Sequence, residues 1–214
     1  VLAPAELAVG ASTTPGEHIL PPAVAAFARA HPAVQLRLTV KGTSDVLDDL
    51  AAGRVELAFV GRRSPHPDLH FEDFADDEIV LVASPAFGGL PEPLPASVAA
   101  RLPRVDREPS SATRTIVETQ LAGMGLHLDP GASVLEAGSM AALRAAVAAG
   151  MGVGFASRRA VAADLAAGRL REVAIQAVKV PRRLFVAWRR STTPSPAAQR
   201  FLELARTLPE RSEP

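Results

Sequence analysis

Cysteine is absent from all 214 residues, which excludes disulfides, thiol catalysis and cysteine-ligated metals. Lysine occurs only at positions 41 and 179, arginine supplies the other positive charges, and no basic cluster is longer than a pair. Formal net charge is zero. A surface that grips nucleic acid normally shows as a basic stripe, and none is visible. No apolar run reaches membrane-spanning length. The start, Val1-Leu-Ala-Pro-Ala, lacks the charged and apolar regions of a signal peptide. It opens without Met, which fits a fragment or a processed product. The expected location is the cytoplasm, with no membrane partner.

Present in quantity are the residues of a buried core: 48% of the chain is hydrophobic, enough for one large domain or two small lobes. A strand-helix-strand grammar recurs. Asp49-Leu-Ala-Ala-Gly-Arg-Val55 returns as Asp164-Leu-Ala-Ala-Gly-Arg-Leu170, and a third variant is Ala148-Ala-Gly-Met-Gly-Val153. Each is an Ala/Leu-rich helix running into a Gly, followed by an apolar run. Gly is what a helix end needs where the chain turns left-handed. The unit predicts a parallel α/β sheet, whose ligand sites lie at the carboxyl ends of strands.

Read along the chain, Glu6 to Ala11 is a strand, followed by one helix from Ser12 to His31, with Ile19, Leu20, Val24 and Phe27 inward. Val34 to Val40 alternates as a half-exposed strand should. Gly42 to Asp45 caps a helix, and Leu57 to Val60 is a buried strand. From Leu69 to Ser84 two strands follow with almost no turn, as if passing between sheets. Pro85 to Pro103 is a loop with one short helix. Strands at 104–106, 134–136 and 153–155 then alternate with helices at 110–121, 139–149 and 158–167. Residues 170–180 are extended, Leu184 to Trp188 is a buried strand, and Ser195 to Leu208 is a helix capped by Ser195. The tally is an α/β fold of two Rossmann-like lobes joined by two crossover strands near Asp77 and Val180. Lobe I is 1–78 with 180–214, and lobe II is 79–179. The acidic run Glu72, Asp73, Asp76, Asp77 and Glu78 is expected to be a solvated face and hinge.

Hydroxyls gather at helix starts: Ser12, Thr13 and Thr14; Thr43 and Ser44; Ser110, Ser111 and Thr113; and Ser139. Unpaired N–H groups at helix N-termini, with hydroxyl donors beside them, make anion sites. Each hydroxyl could equally cap its own helix, but capping needs only one, and several of these are doubled. Arg107 and Arg114 could clamp a bound carboxylate, or pair with Glu108 and Glu118. Enzyme constellations are poor. The five His (18, 31, 66, 70 and 127) are scattered without metal-ligand spacing. Gly150 to Gly154 follows a helix and enters a strand, the reverse of a dinucleotide loop, and reads as a helix stop with close backbone packing. No metal, cofactor or catalytic residue is expected.

Together these segments resemble the effector-binding domain of a LysR-type transcriptional regulator. The resemblance rests on Leu7-Ala-Val-Gly-Ala-Ser12, Ile19-Leu-Pro-Pro22, Phe27-Ala-Arg-Ala-His-Pro32, Gly42-Thr-Ser-Asp45, Leu50-Ala-Ala-Gly-Arg-Val-Glu-Leu-Ala-Phe59, Arg107 to Arg114 and Ala148-Ala-Gly-Met-Gly-Val-Gly-Phe155. It implies a periplasmic-binding-protein-like (type 2) fold, an effector between the lobes, and contacts at Ser12 to Thr14, Thr43-Ser44, Ser110 to Thr113 and Ser139-Met140. The wording is most similar to members controlling sulfur, nitrogen or carbon assimilation, which respond to small anions or acids. It also implies a homodimer, with a tetramer as a further option in the full-length protein. The first helix, through Leu20, Val24, Ala25 and Ala28, would pack on a second-lobe helix of the partner. The family's winged helix-turn-helix would precede Val1, so DNA would be reached only through it. Ser157-Arg-Arg departs from the family's usual Leu-Pro.

Two other readings stand beside this one. A periplasmic-type solute-binding protein for a small anion shares the architecture. An enzyme on this scaffold would need a convergent acid, base or nucleophile, and none is seen. The isolated chain is expected not to bind DNA, because phosphate contacts supply most nucleic-acid affinity. Gel retardation of an operator fragment checks this; a sequence-specific, salt-sensitive shift by this chain alone would overturn the domain assignment.

Overall fold

In a computed structural model, Ala3 and residues 5–207 are described. The chain forms two units, Val1–Asp76 with Arg183–Pro214, and Asp77–Arg182. Among the described residues no helix is long and apolar enough to cross a membrane.

In the first unit, β1 (Ala5–Ala11) runs parallel to β2 (Val34–Val40) on one side and to β3 (Leu57–Val60) on the other. Strand β9 (Val180–Arg189) joins β3 antiparallel. Alternation along β1 sends Leu7, Val9 and Ala11 to one face. There they meet Leu20, Ala23 and Phe27 of α2 (Leu20–Ala30) and Phe201 of α8 (Pro196–Thr207). Phe27 and Phe201 meet edge to face at 5.5 Å. The other face is covered by α3 (Thr43–Ala51) through Val46, Leu47 and Leu50. Ser195 caps α8, its Oγ accepting from the Ala198 N–H at 3.2 Å. Leu208, the expected last residue of that helix, lies outside the described residues.

In the second unit, β4 (Leu69–Ala83) enters from the first as a single strand. Ile79, Leu81 and Ala83 face one core and Val80 and Val82 another, which is why the segment reads as wholly apolar. The first core is closed by Val117 and Leu121 of α5 (Ala112–Gly123). The second is closed by α6 (Met140–Ala148) and α7 (Arg158–Ala166). Strand β5 (Arg104–Arg107) pairs in parallel with β6 (Ser133–Ala137). Strands β7 (Gly154–Ser157) and β8 (Arg171–Val173) both run antiparallel to β4. The Pro-rich loop holds its one short helix, α4 (Ala96–Ala99).

Several expectations need correction. The first helix is two: α1 (Thr13–His18) and α2, broken at Ile19. Pro21 and Pro22 lack the N–H that a continuous helix would require, and the residue before a proline avoids the helical region. On α2, Ala23 is buried with Leu20 and Phe27, so Leu20 belongs to the core and offers a partner nothing; Ala25 and Ala28 are exposed. The sheet is mixed: of the three helix-Gly-strand repeats, only that leading to β3 enters a parallel ladder of the main sheet. The extended stretch 170–180 is β8, an isolated bridge from Ile175 to Leu94 and a turn with Ala177 at φ 57°, before β9 begins at Val180.

The Gly stops themselves are as expected. Gly53, Gly150 and Gly168 all have left-handed φ. Gly53 N–H bonds to Leu50 O and Arg54 N–H to Asp49 O; Gly168 to Leu165 and Arg169 to Asp164 repeat the pattern. The recurrent Asp has a second use. Arg54 Nε donates to Asp49 at 2.7 Å and Arg169 Nε to Asp164 at 2.7 Å, while Lys41 and Arg144 add a second cation to each. Gly152 is required by contact: a Cβ there would lie 2.2 Å from the carbonyl oxygen of Pro103.

Hydrogen bonds from Lys41 and then Arg54 hold Asp49 below the usual carboxylate range, as Arg144 and then Arg169 do for Asp164. Both carboxyls are harder to protonate folded than unfolded. Their contribution is therefore complete above the ordinary carboxylate range and is lost as pH falls through that range and below it. Asp164→Asn is expected to lower stability at neutral pH and to flatten its decline in acid. Chemical denaturation over a pH series checks this; an unchanged acid slope would show that the pair contributes nothing.

Candidate functional site

Two strand edges carry the hydroxyls, one in each unit. In the first unit, Ala11 and Val40 are register partners, so the turns after β1 and β2 begin side by side. Ser12 N–H donates to Phe59 O at 2.8 Å, which sets the end of β3 beside them. Gly16 lets α1 lie close, since a Cβ there would sit 2.7 Å from Val40 and 3.0 Å from Ala11. Ser12, Thr14 and Thr43 are buried, Thr13 is half-buried and Ser44 exposed.

In the second unit, Arg107 and Ala137 are register partners, so the turns into α5 and α6 are also adjacent. Ser111 and Thr113 are buried, while Ser110 and Ser139 are exposed. Thr113 Oγ1 accepts from Arg182 Nη1 at 3.2 Å, and Arg182 Nε donates to Asp77 at 2.7 Å. Side chains of Arg182 and Asp77 are 3% and 0% exposed. Burial pulls Arg182 below the ordinary arginine range, and the Asp77 carboxylate opposes that pull. Asp77 is thus no part of a solvated face. Its neighbours in the acidic run are also spent on cations: Asp73 on Arg63 and Arg183, Asp76 on Arg183, Glu78 on Arg158, and Glu72 on Arg206.

Capping separates the candidates into two groups. Ser139 caps α6, accepting from Ala142 N–H at 3.1 Å, and Ser157 caps α7. By contrast, the starts of α1, α3 and α5 have no side-chain cap bond at Ser12, Gly42 or Ser111. The Gly42–Asp45 segment does start α3, with Gly42 as its N-cap residue and without a side-chain bond. The Ser12 and Ser111 hydroxyls are therefore not used to cap α1 and α5. Two further candidates lose their availability. The Met140 side chain lies in the core, leaving only its backbone at the turn. Arg107 gives two hydrogen bonds of 2.8 Å to Glu108, which occupy the fork a ligand carboxylate would take. Arg114 binds Glu118, Glu136 and the Arg107 carbonyl, the structural alternative raised by its sequence.

One residue escaped sequence reasoning. Arg62, just beyond β3, has a buried Nε with no hydrogen-bond partner and no ion pair among the described residues. Lys41, nearby in sequence to Thr43, is spent on Asp49. Among the described residues Arg62 is thus an uncommitted cation at this strand edge, and an arginine followed by another looks like ordinary surface in the sequence. Among the described residues no group of three His, Asp or Glu is placed to hold a metal.

Replacing a hydroxyl that caps should cost more stability than replacing one that does not. Ser139→Ala is expected to lower stability by about 1 kcal/mol, and Ser111→Ala by less. Urea denaturation of both checks this; equal losses would mean that Ser111 also holds its helix.

A family model described as LysR substrate binding domain matches residues 3–209. The phosphonates import ATP-binding protein PhnC of Anaeromyxobacter dehalogenans strain 2CP-C is 54% identical over 200 residues, covering 94% of this chain and 40% of that protein. The uncharacterized HTH-type transcriptional regulator YeiE of Escherichia coli K12 is 31% identical over 193 residues, covering 90% of this chain and 65% of the relative. The chain therefore spans less than two thirds of either. In fold it is similar to the CcmR regulatory domain of Synechocystis PCC6803, solved in complex with 2-PG. The TM-score is 0.84 at 22% identity, over 97% of this chain and 99% of that one.

Proposed function

This chain belongs to the family of LysR substrate-binding domains, and from that premise we propose that it is the effector-sensing part of a transcription regulator whose effector is a small anion. The observation that carries this reading is the gathering of buried Ser and Thr residues at the starts of α1, α3 and α5, where Ser12 and Ser111 make no cap bond to their helices. Ser12, Thr14 and Thr43 are the proposed anion contacts of the first unit, with Thr13 and Ser44 at their margin; Ser111 and Thr113 are those of the second, with Ser110 at theirs. Hydroxyl and N–H donors satisfy an anion's oxygens without requiring a matching charge, and Arg62 adds one cation. Ser139 and the Met140 backbone remain at the edge of the second set; Arg107 contributes by buttressing the turn through Glu108. The two units are the proposed lobes of the sensing domain. DNA is contacted through a segment other than this one, and a homodimer forms through the exposed Ala25 and Ala28 of α2, with Val24 partly buried behind them.

A second reading has its own support. The relative at 54% identity carries this kind of domain over 40% of its length and is named a phosphonates import ATP-binding protein. The same sensing domain could be joined to a transport ATPase, with a phosphonate or phosphate as ligand. The coding sequence upstream of Val1 separates them: a helix-turn-helix supports the regulator, a nucleotide-binding segment the transporter. A signal peptide would instead support the solute-binding alternative.

Hydrogen bonds to charged groups contribute roughly 1.5–3 kcal/mol. Ser111→Ala and Thr43→Val are each expected to weaken binding of small anions about tenfold or more, with little loss of stability. Isothermal calorimetry with sulfate, phosphate, phosphonates and small carboxylates checks this. Full affinity in both variants, for an anion that binds the unaltered chain, would remove these hydroxyls from the site.

A further inference from the structure

We propose that the second unit carries a further binding site, apart from the hydroxyl-bearing turns, for a small monocarboxylate with an apolar body. The site is an open groove of about 310 Å³ where β4, β7 and the segment after β8 come together, wholly within the second unit. Its walls are apolar: Ile79 and Leu81 of β4, Phe155 of β7, and Ile175 and Val178 beyond β8. The first three belong to a buried core cluster, and Ile175 and Val178 pack against it only partly buried. Such a volume suits a small molecule, and apolar walls with a few polar groups are what small-molecule sites commonly have. Phe155, Ile175 and Val178 also line a second, smaller cavity whose other walls, Ala99 and Leu121 among them, are apolar throughout. Apolar cavities stay dry and take apolar groups, so a hydrocarbon chain is what this side of the groove accommodates.

The rim supplies the charge. Arg158, from the Ser157-Arg-Arg segment at the start of α7, donates to Glu78 at 3.0 Å and to Glu172 at 2.8 Å. All three line the groove, and each already has a partner of opposite charge. Lys179 lines it too, is exposed, and has no ion pair or hydrogen bond among the described residues. One uncommitted ammonium beside apolar walls matches a ligand with one negative charge, whose hydrocarbon part removes those walls from water. The wall that bears Lys179 is held in place. Leu94 N–H donates to Ala174 O and Gln176 N–H to Leu94 O, both at 2.8 Å. Val178 N–H then turns back to Ile175 O, with Ala177 at φ 57°, a left-handed conformation that alanine keeps only where its surroundings impose it. The groove is thus formed in the absence of ligand, and binding need not order it.

The test follows NMR amide shifts of the isotope-labelled chain during titration with hexanoate, which joins a hydrocarbon chain to a single charge. Saturable shifts are expected at Phe155 and across residues 173–180, and not at Ser12, Thr43 or Ser111. Hexanol and hexylamine have the same chain with no charge or a positive one. Each should bind about fivefold more weakly than hexanoate, the upper scale of one exposed ion pair. Lys179→Gln, at an exposed position, should weaken hexanoate by a similar factor and leave hexanol unchanged. Ala174→Phe, at another exposed residue of the groove, should obstruct it and weaken both ligands. Absence of saturable shifts, or shifts at the hydroxyl-bearing turns in place of the groove, overturns the site. Hexylamine bound as well as hexanoate, or full hexanoate affinity in Lys179→Gln, overturns the carboxylate class. The anion reading stands or falls separately, on sulfate and phosphate at the hydroxyl-bearing turns.

Discussion

The buried Asp77–Arg182 ion pair fixes what the hydrophobic pattern of this chain leaves open. From Ile79 to Ala83 strand β4 is apolar on both faces, because each face meets its own core. Sliding such a strand by one residue would still bury apolar side chains, so alternation specifies its register only weakly. A charge pair without solvent access tolerates no such slip, since either partner left alone would cost several kcal/mol. Asp77 sits on β4 and Arg182 on β9, at the two points where the chain passes from one unit to the other. One interaction thereby sets the phase of both crossover strands and holds the first turn of α5 through Thr113.

Charge elsewhere is handled in the same way. A chain with no net charge could scatter its ions over the surface, but here many acidic groups, Asp73, Glu78, Asp106, Asp164 and Glu172 among them, are drawn into specific pairs with arginine. The repeated Asp-Leu-Ala-Ala-Gly-Arg words are a compact case. Backbone geometry brings the Arg after the glycine back over the last turn of its helix, and its side chain then meets the Asp five residues earlier. The third variant, at Gly150, keeps the backbone turn without the ion pair, since Ala146 stands where the other two have Asp.

Local order was largely legible in the sequence. Helix stops at Gly53, Gly150 and Gly168, the cap at Ser195, the buried strand at Leu57 to Val60 and the short helix in the Pro-rich loop all depend on a few adjacent residues. Strand direction was not legible, because β7 and β8 follow the same helix-Gly signal as β3 and take their antiparallel sense from distant partners. The break at Ile19 was signalled by Pro21 and Pro22, but the apolar spacing around them continues and masks it. The candidate site was half legible. Which turns carry hydroxyls is plain from the sequence. Whether a given hydroxyl caps its helix, as Ser139 does, or leaves that bond unmade, as Ser111 does, follows local backbone geometry, with φ −151° at Ser139 and −66° at Ser111. Asp77 could not be told from its acidic neighbours, nor Arg62 from ordinary surface, since only tertiary packing distinguishes them.

The interruption between α1 and α2 has an electrostatic side. A helix gathers field at its N-terminus by aligning many peptide dipoles, and α1 has only six residues before the chain turns at Ile19. The two prolines that begin α2 remove N–H groups from its own first turn as well. The dipole of α1 therefore adds little long-range field to this end of the first unit, and positive potential there comes instead from the nine-residue α3 and from Arg62. What α1 offers an anion, on the reading proposed above, is the placement of its individual O–H and N–H groups.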